Sequence, residues 1–287
     1  MFSVPTPSNV TVTLPPEGWP DFYDGSWTAL HRAFRDRHAA TPFANAFQAV
    51  RYLEKTFELI DKSQVGDVMP GGRRLLRTSS FRGQTCVIPA YANVYAGEIL
   101  ADLVAGMGPF DAVVELGCGY GRNLFDCFYF GGWSGPYFGG ELTEGGRAFA
   151  SELIGLATGM QASFHPFTHL APDLTFVGRP KRALITTVHS IEAVEAIPED
   201  YFDRLADGAE QVVGVHIEPV GFQYGSLGEV SDIHRQLATT LRWNLNFRDS
   251  LQAAINRGRI AVSMIAPEVL FPSDALNPST IIIWTSR

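Results

Sequence analysis

Lysine is almost missing from this chain. Lys55, Lys62 and Lys181 are the only three in 287 residues, and 22 Lys and Arg against 30 Asp and Glu leave a formal charge of -8. A track for nucleic-acid phosphates needs clustered cations that release counterions, so this balance speaks against such a partner. The short basic stretches, Arg73-Arg74 with Arg77 and Arg179 to Arg182, read as solvated loops. Cysteine is scarce too: Cys86, Cys118 and Cys127 make an odd number with no CxxC spacing. That excludes a disulfide framework and a zinc knuckle, and suits a reducing cytoplasm. No stretch approaches the roughly eighteen apolar residues of a membrane span. The N-terminal stretch lacks the basic start and apolar core of a secretion signal, so a soluble cytoplasmic chain is expected. Two nucleotide signatures are also missing, the dinucleotide GxGxxG and any Gly-Lys-Ser/Thr of a phosphate loop.

What is present begins with 46% apolar composition, ample for a buried core. Residues Ala112 to Phe125 read AVVELGCGYGRNLF, an apolar run ending in Glu115, then Gly117, Gly119 and Gly121, then a helix-like stretch. Glycines at a strand-to-helix turn adopt positive φ at little cost and let the backbone come within contact distance of a ligand. Arg122 stands where a dinucleotide fingerprint has its third glycine, so a pyrophosphate seat is disfavoured. Cys118, inside the loop, reads as a small packing residue rather than a nucleophile.

With its acid ahead of the glycines, this stretch resembles the first motif of the class I S-adenosylmethionine-dependent methyltransferases, acid-x-Gly-x-Gly-x-Gly. The resemblance implies that Glu115, Gly117, Gly119 and Gly121 hold S-adenosylmethionine. It also implies that Glu141, after the strand-like Tyr137 to Gly140, accepts the ribose hydroxyls. In that family the helix before the first strand lies over the methionine part of the cofactor, which makes Arg82, Tyr91 and Tyr95 candidate ligands. Where the family often has an adenine-binding Asp, this chain reads Phe164-His165-Pro166-Phe167, leaving Phe167 to stack on the ring or His165 to bond it.

Residues up to about 24 are rich in Pro, Thr and Ser and are expected to be irregular. A helix is predicted from Ser26 to Ala39 and another from Thr41-Pro42 to about Asp61, with Phe43, Phe47, Val50, Leu53, Phe57 and Ile60 as its apolar stripe. A long loop over Gly66 to Gly83 and a helix from about Pro89 to Gly106 follow. Strands are predicted at Ala112 to Glu115, Tyr137 to Glu141, Ala162 to His165, Ala183 to Val188, Val212 to Glu218, Ile260 to Ile265 and Thr280 to Thr285. The helices between are expected at Arg122 to Phe128, Glu144 to Thr158, Pro198 to Ala206 and Val230 to Asn256. This alternation gives an α/β fold. By the resemblance it is the Rossmann-like, seven-stranded doubly wound methyltransferase sheet over residues 109–287, with a helical N-terminal cap over residues 1–108.

The fourth and fifth strands end in His189, Glu192, His216 and Glu218, which the topology brings toward the transferable methyl group. A neutral imidazole there serves as general base. Alternatively the four groups hold a divalent metal, or His216 and Glu218 only complete the hydrogen bonding of the sheet. The aromatic residues Trp19, Phe22, Tyr23, Trp27, Phe222 and Tyr224 suggest an apolar or aromatic small substrate. Methyl transfer to the oxygen or nitrogen of a small molecule, leaving S-adenosylhomocysteine, is the expected function. The rival readings are a different reaction of the same cofactor and an inactive binding scaffold. The sequence does not fix the number of subunits.

Overall fold

Apolar residues recurring at helical spacing build the first elements. The computed structural model describes residues 16–53, 76–89, 96–270 and 276–287. Helix α1 (Trp19–Ala40) carries Leu30, His31 and Phe34 on its buried face. A second helix, α2, covers residues 46–53, and its Ala46, Ala49, Val50 and Leu53 are buried. An antiparallel hairpin, β1 (Leu76–Phe81) and β2 (Gln84–Pro89), precedes helix α3 (Ala96–Met107).

From there strand and helix alternate through β3 (Ala112–Leu116), α4 (Arg122–Gly131), β4 (Tyr137–Glu141), α5 (Glu144–Ile154), β5 (Ala162–Pro166) and β6 (Arg182–Val188). The chain continues through α6 (Tyr201–Ala206), β7 (Gln211–Glu218), α7 (Glu229–Leu241), α8 (Phe247–Asn256), β8 (Ile260–Leu270) and β9 (Ser279–Ser286). The strands lie in the order β5-β4-β3-β6-β7-β9-β8. Pairs within β5 to β7 are parallel, and β9 runs antiparallel between β7 and β8. This is the seven-stranded, Rossmann-like doubly wound sheet expected from the sequence, and all seven of its strands lie within a few residues of their predicted spans.

Both faces of the central strands β3, β6 and β7 are buried, as parallel strands require. Val113, Val213, Val215 and Ile217 enter one apolar cluster, while Ala112, Val114 and Val212 enter the other. The first cluster also takes Leu30 and Phe34 of α1, Val50 and Leu53 of α2, and Leu100 and Val104 of α3. Each such side chain contributes about 1.5–3 kcal/mol of burial, so the N-terminal helices and one face of the sheet share a core.

Several boundaries differ from those expected. Helix α1 begins at Trp19, not Ser26, because Pro20 sits in the first turn, where its missing N–H costs nothing. Residues 41–45 are non-helical, so α2 starts later than Thr41, and its predicted reach to Asp61 extends outside the described residues. The end of the predicted Gly66 to Gly83 loop is strand β1. The start of the predicted Pro89 to Gly106 helix falls at the end of β2 and in residues 90–95, outside the described residues. Arg82 (φ 48°) and Gly83 (φ 76°) form a two-residue turn with both central φ positive. Arg-Gly lacks the Asn or Asp that usually announces such a hairpin. The predicted helix Val230 to Asn256 is two helices, since Arg242 turns left-handed at φ 56°. Asn244 Oδ1 then accepts from the amides of Asn246 at 3.2 Å and Phe247 at 2.9 Å, which stops one helix and starts the next.

Candidate cofactor and acceptor site

The direction of winding reverses between β3 and β6, and in open α/β sheets a ligand lies beyond the strand ends at that switch point. The glycine loop is there. Gly117, Gly119 and Gly121 have φ of 77°, 54° and 82°, in the left-handed region that side chains resist. A Cβ on Gly117 would stand 2.3 Å from Ser190 Cβ, so the loop presses directly on the end of β6. Gly139 of β4 answers the same need from below, because a Cβ there would lie 2.4 Å from the Phe164 ring and 2.6 Å from Cys118 Sγ.

Glu141 closes the far side of this cradle. Its Oε2 accepts the Gly119 amide at 2.9 Å, and its Oε1 accepts the Thr143 amide at 2.9 Å and hydroxyl at 2.7 Å. Each carboxylate oxygen has two acceptor directions, so Oε2 retains room for a ligand hydroxyl. Glu115 is fully enclosed. Its Oε1 accepts from Asn123 Nδ2 at 2.6 Å, while Oε2 is buried with no hydrogen-bond partner. Burial pushes its pKa up to about 8, against the pull of the Asn123 bond. An orphaned carboxylate oxygen beside three backbone-exposing glycines is chemically suited to a cationic group.

Helix α1 lies across the cradle. Asp24 Oδ1 accepts the Gly145 amide at the start of α5 at 2.8 Å, and His31 and Arg35 both bond Glu152 farther along α5. The docking sets Trp27 over the loop, 3.0 Å from where a Cβ on Gly119 would stand and 5.4 Å, edge to face, from Tyr120. Tyr23 stacks on Trp27 at 5.8 Å and on Trp19 at 5.5 Å, so three aromatic rings one turn apart form a continuous stripe. The Tyr23 phenol lies within the fields of Glu192, Glu141 and Glu218. Burial first and those charges second raise its pKa far above the ordinary value.

At the ends of β6 and β7 the four predicted residues divide. His189 holds a left-handed backbone at φ 48°, an outlier of the kind that collects at functional sites. Its Nδ1 meets Glu192 Oε1 at 3.3 Å and its Nε2 meets Ser279 Oγ at 2.6 Å, and Asn277 donates to Glu192 Oε2 at 3.0 Å. Burial lowers the His189 pKa, but the charges of Glu192 and Glu218 together with the Glu192 bond outweigh it, and the net shift is upward. For Glu192 the same pairing outweighs the opposing effect of burial, and its pKa falls. Glu218 accepts the amides of Ser190 at 3.2 Å and Ile191 at 3.4 Å, and burial lifts its pKa to about 7.

His216 sits inside the sheet with no exposure. Trp284 Nε1 donates to its Nε2 at 2.8 Å, so Nδ1 carries the proton and donates to Thr187 Oγ1 at 2.8 Å. Thr187 in turn is bonded to Glu218. Burial drives the His216 pKa down to about 3, and the ring is enclosed within the sheet between Trp284 and Thr187. A second buried histidine, His169, lies between Tyr201 Oη at 2.8 Å and Ser190 Oγ at 3.1 Å. The Ser190 hydroxyl donates to Leu116 O at 3.0 Å, which fixes the platform under Gly117 and leaves that hydroxyl committed. Neither His169 nor Ser190 was readable from sequence, because their contacts join segments far apart in the chain.

The remaining candidates separate from the cradle. Arg82 lies at the tip of the β1–β2 turn, its amide bonded to Glu268 O at 2.7 Å and its side chain exposed, and no described contact joins it to the glycine loop. Tyr91 and Tyr95 lie outside the described residues. Phe167 is buried against Gly140 and stands edge-on to His169 at 5.1 Å. His165 stacks on Phe176 at 4.7 Å and bonds Ser163 at 2.8 Å. Among the described residues no group of three or more His, Cys, Asp and Glu is arranged to hold a metal ion, and no helix is long and apolar enough to cross a membrane.

Fold and cleft together define a doubly wound α/β protein with a ligand cradle at its switch point. No family model matches the chain, and no curated protein is similar to it. Among solved structures it is similar to magnesium protoporphyrin IX methyltransferase from Synechocystis PCC 6803, at 17% identity and TM-score 0.44, over 66% of this chain and 80% of that one. An O-methyltransferase from Bacillus cereus is similar at 14% identity and TM-score 0.46, over 69% and 84% of the two chains. The geranyl diphosphate C-methyltransferase of Streptomyces coelicolor A3(2) follows at 15% and 0.41, over 66% and 77%.

Proposed function

We propose that this chain transfers a methyl group from S-adenosylmethionine to an oxygen or nitrogen of a small molecule, leaving S-adenosylhomocysteine. In this reading residues 1–108 cap a catalytic unit of residues 109–287. The observation that carries it is the cradle itself, three left-handed glycines with Glu141 on the Gly119 amide and the orphaned Glu115 Oε2 beside them. Bound there, the cofactor supplies an electrophilic methyl carbon on a sulfonium. Glu141 would receive the sugar hydroxyls, Glu115 Oε2 would receive the ammonium of the amino-acid part, and the His189–Glu192 pair would take up the proton that the acceptor gives up on methylation. Methyl transfer is driven mainly by alignment and exclusion of water, to which the α1 aromatic stripe contributes.

Calorimetry with S-adenosylhomocysteine is the direct test: absence of binding would leave the scaffold reading. Product mass with labelled S-adenosylmethionine separates the remaining rival, since a gain other than one methyl group means different chemistry. Two further results are expected. Glu115, mostly protonated at neutral pH because its pKa lies near 8, ionises on meeting an ammonium. Binding at pH 7 therefore releases close to one proton, measurable as a dependence of calorimetric heat on buffer, and Glu115→Gln abolishes the release. Trp27, resting on Gly119, must yield its place to the ligand. Trp27→Ala is expected to tighten S-adenosylhomocysteine binding by about three- to tenfold, as removal of a competing arrangement does.

A further inference from the structure

The α1 aromatic stripe leads from the cradle to a group of buried polar atoms that the reaction above does not use. Trp19 packs on the cluster of Phe222, Ala238 and Trp243. His234 of α7 stands in the same place, edge to face with Phe222 at 4.9 Å and 6.2 Å from Trp243. His234 is completely buried, yet neither ring nitrogen has a hydrogen-bond partner, and the indole nitrogens of Trp19 and Trp243 are likewise buried and unpartnered. An unmet buried donor is costly, and native proteins leave few. Here they gather beside the proposed methyl-transfer centre: the Asn244 amide, next to Trp243, donates to Glu192 O at 3.3 Å, and the Glu192 and His189 charges both act on His234.

Resting on the methyl-transfer reading, we propose that Trp19, Trp243, His234 and Phe222 bind the acceptor, and that the acceptor is a neutral, planar hydroxy-aromatic molecule bearing a carbonyl or ether oxygen. Indole N–H groups only donate, so the ligand must present acceptor oxygens. Aromatic walls favour a flat ring. Neutrality follows from the Glu192 carboxylate, whose field reaches His234, while Arg235 and Arg248 are engaged with the carbonyls of Phe222 and Gln223 and Arg242 with Glu195. The hydroxyl end of such a ring then points toward His189 and Glu192.

The test is calorimetric titration of the chain, loaded with S-adenosylhomocysteine, using 4-hydroxyacetophenone as the neutral phenolic ketone and 4-hydroxybenzoate as its anionic counterpart. The ketone is expected to bind at least tenfold more tightly than the benzoate. Trp243→Phe and Trp19→Phe, which keep a ring and remove the N–H, should each weaken the ketone about tenfold and leave S-adenosylhomocysteine affinity unchanged. Loading without ketone binding, preference for the benzoate, or full ketone affinity in both variants would overturn the pocket and leave methyl transfer standing. Failure to load would instead remove the methyl-transfer reading, and titration of the unloaded chain with the ketone then decides the pocket by the same variants.

Discussion

Gly119→Val is expected to abolish measurable binding of S-adenosylhomocysteine while the chain still folds. The position has φ 54°, where a β-branched residue is strained by roughly 1–2 kcal/mol, within reach of a stable domain. The larger effect is steric. A Cβ there would already lie 3.0 Å from Trp27, and the two methyls of valine fill the surface on which the ligand would rest, facing the Glu141 carboxylate that holds the Gly119 amide. A loss of at least about a hundredfold in affinity, near 2.7 kcal/mol, is the anticipated calorimetric result. Gly132→Ala is the control: its φ is 62° but nothing lies within 4 Å of the added carbon, so it bears the backbone strain alone. Unchanged affinity in Gly119→Val would mean that the loop carries no ligand.

His189→Ala is expected to lower kcat by about 10²–10⁴, the range of a lost general base, with S-adenosylhomocysteine affinity within threefold of the parent. An imidazole acts as a base only in its neutral form, so under the proposed role turnover is expected to rise with pH as His189 loses its proton. Its pKa is shifted upward, since Glu192 and Glu218 outweigh burial, so the rise is centred above 6.5. In the alanine variant that limb should vanish. His189→Asn tests the backbone separately, as asparagine tolerates the left-handed conformation and lacks the base. A pH profile unchanged by either substitution would remove His189 from proton transfer, and joint loss of turnover and binding would make it a ligand of the cofactor.

The sheet was legible because β3, β6, β7 and β9 are each built on an apolar run of ordinary length, and the glycine loop because its spacing is read directly from neighbouring residues. Glu141 was singled out by the family resemblance, and it does stand at the end of β4 against the glycine loop. What escaped the sequence depends on partners distant in the chain. His216 looked available at a strand end, yet it is fixed by Trp284, which arrives on β9 through the antiparallel register pairing Gly214 with Trp284. The break between α7 and α8 was hidden because Arg242 gives no local sign of the left-handed turn it adopts. The aromatic residues of the N-terminal segment were visible as a group, but their alignment over Gly119 required α1 to begin at Trp19 and to be pinned to α5 by Asp24. His234 carried no signal, since a lone histidine in a helix is ordinary and only the lack of a hydrogen-bond partner at either ring nitrogen sets it apart.

Leu30 and Phe34 lie in the same apolar cluster as Phe125, Phe149 and Val213. The helical segment is consequently no interchangeable module. A chimera bearing a foreign cap would meet side chains shaped for these helices, and a shortened chain starting at Ala112 would bare Leu124, Phe125 and Phe149 to water and aggregate before any question of catalysis arose.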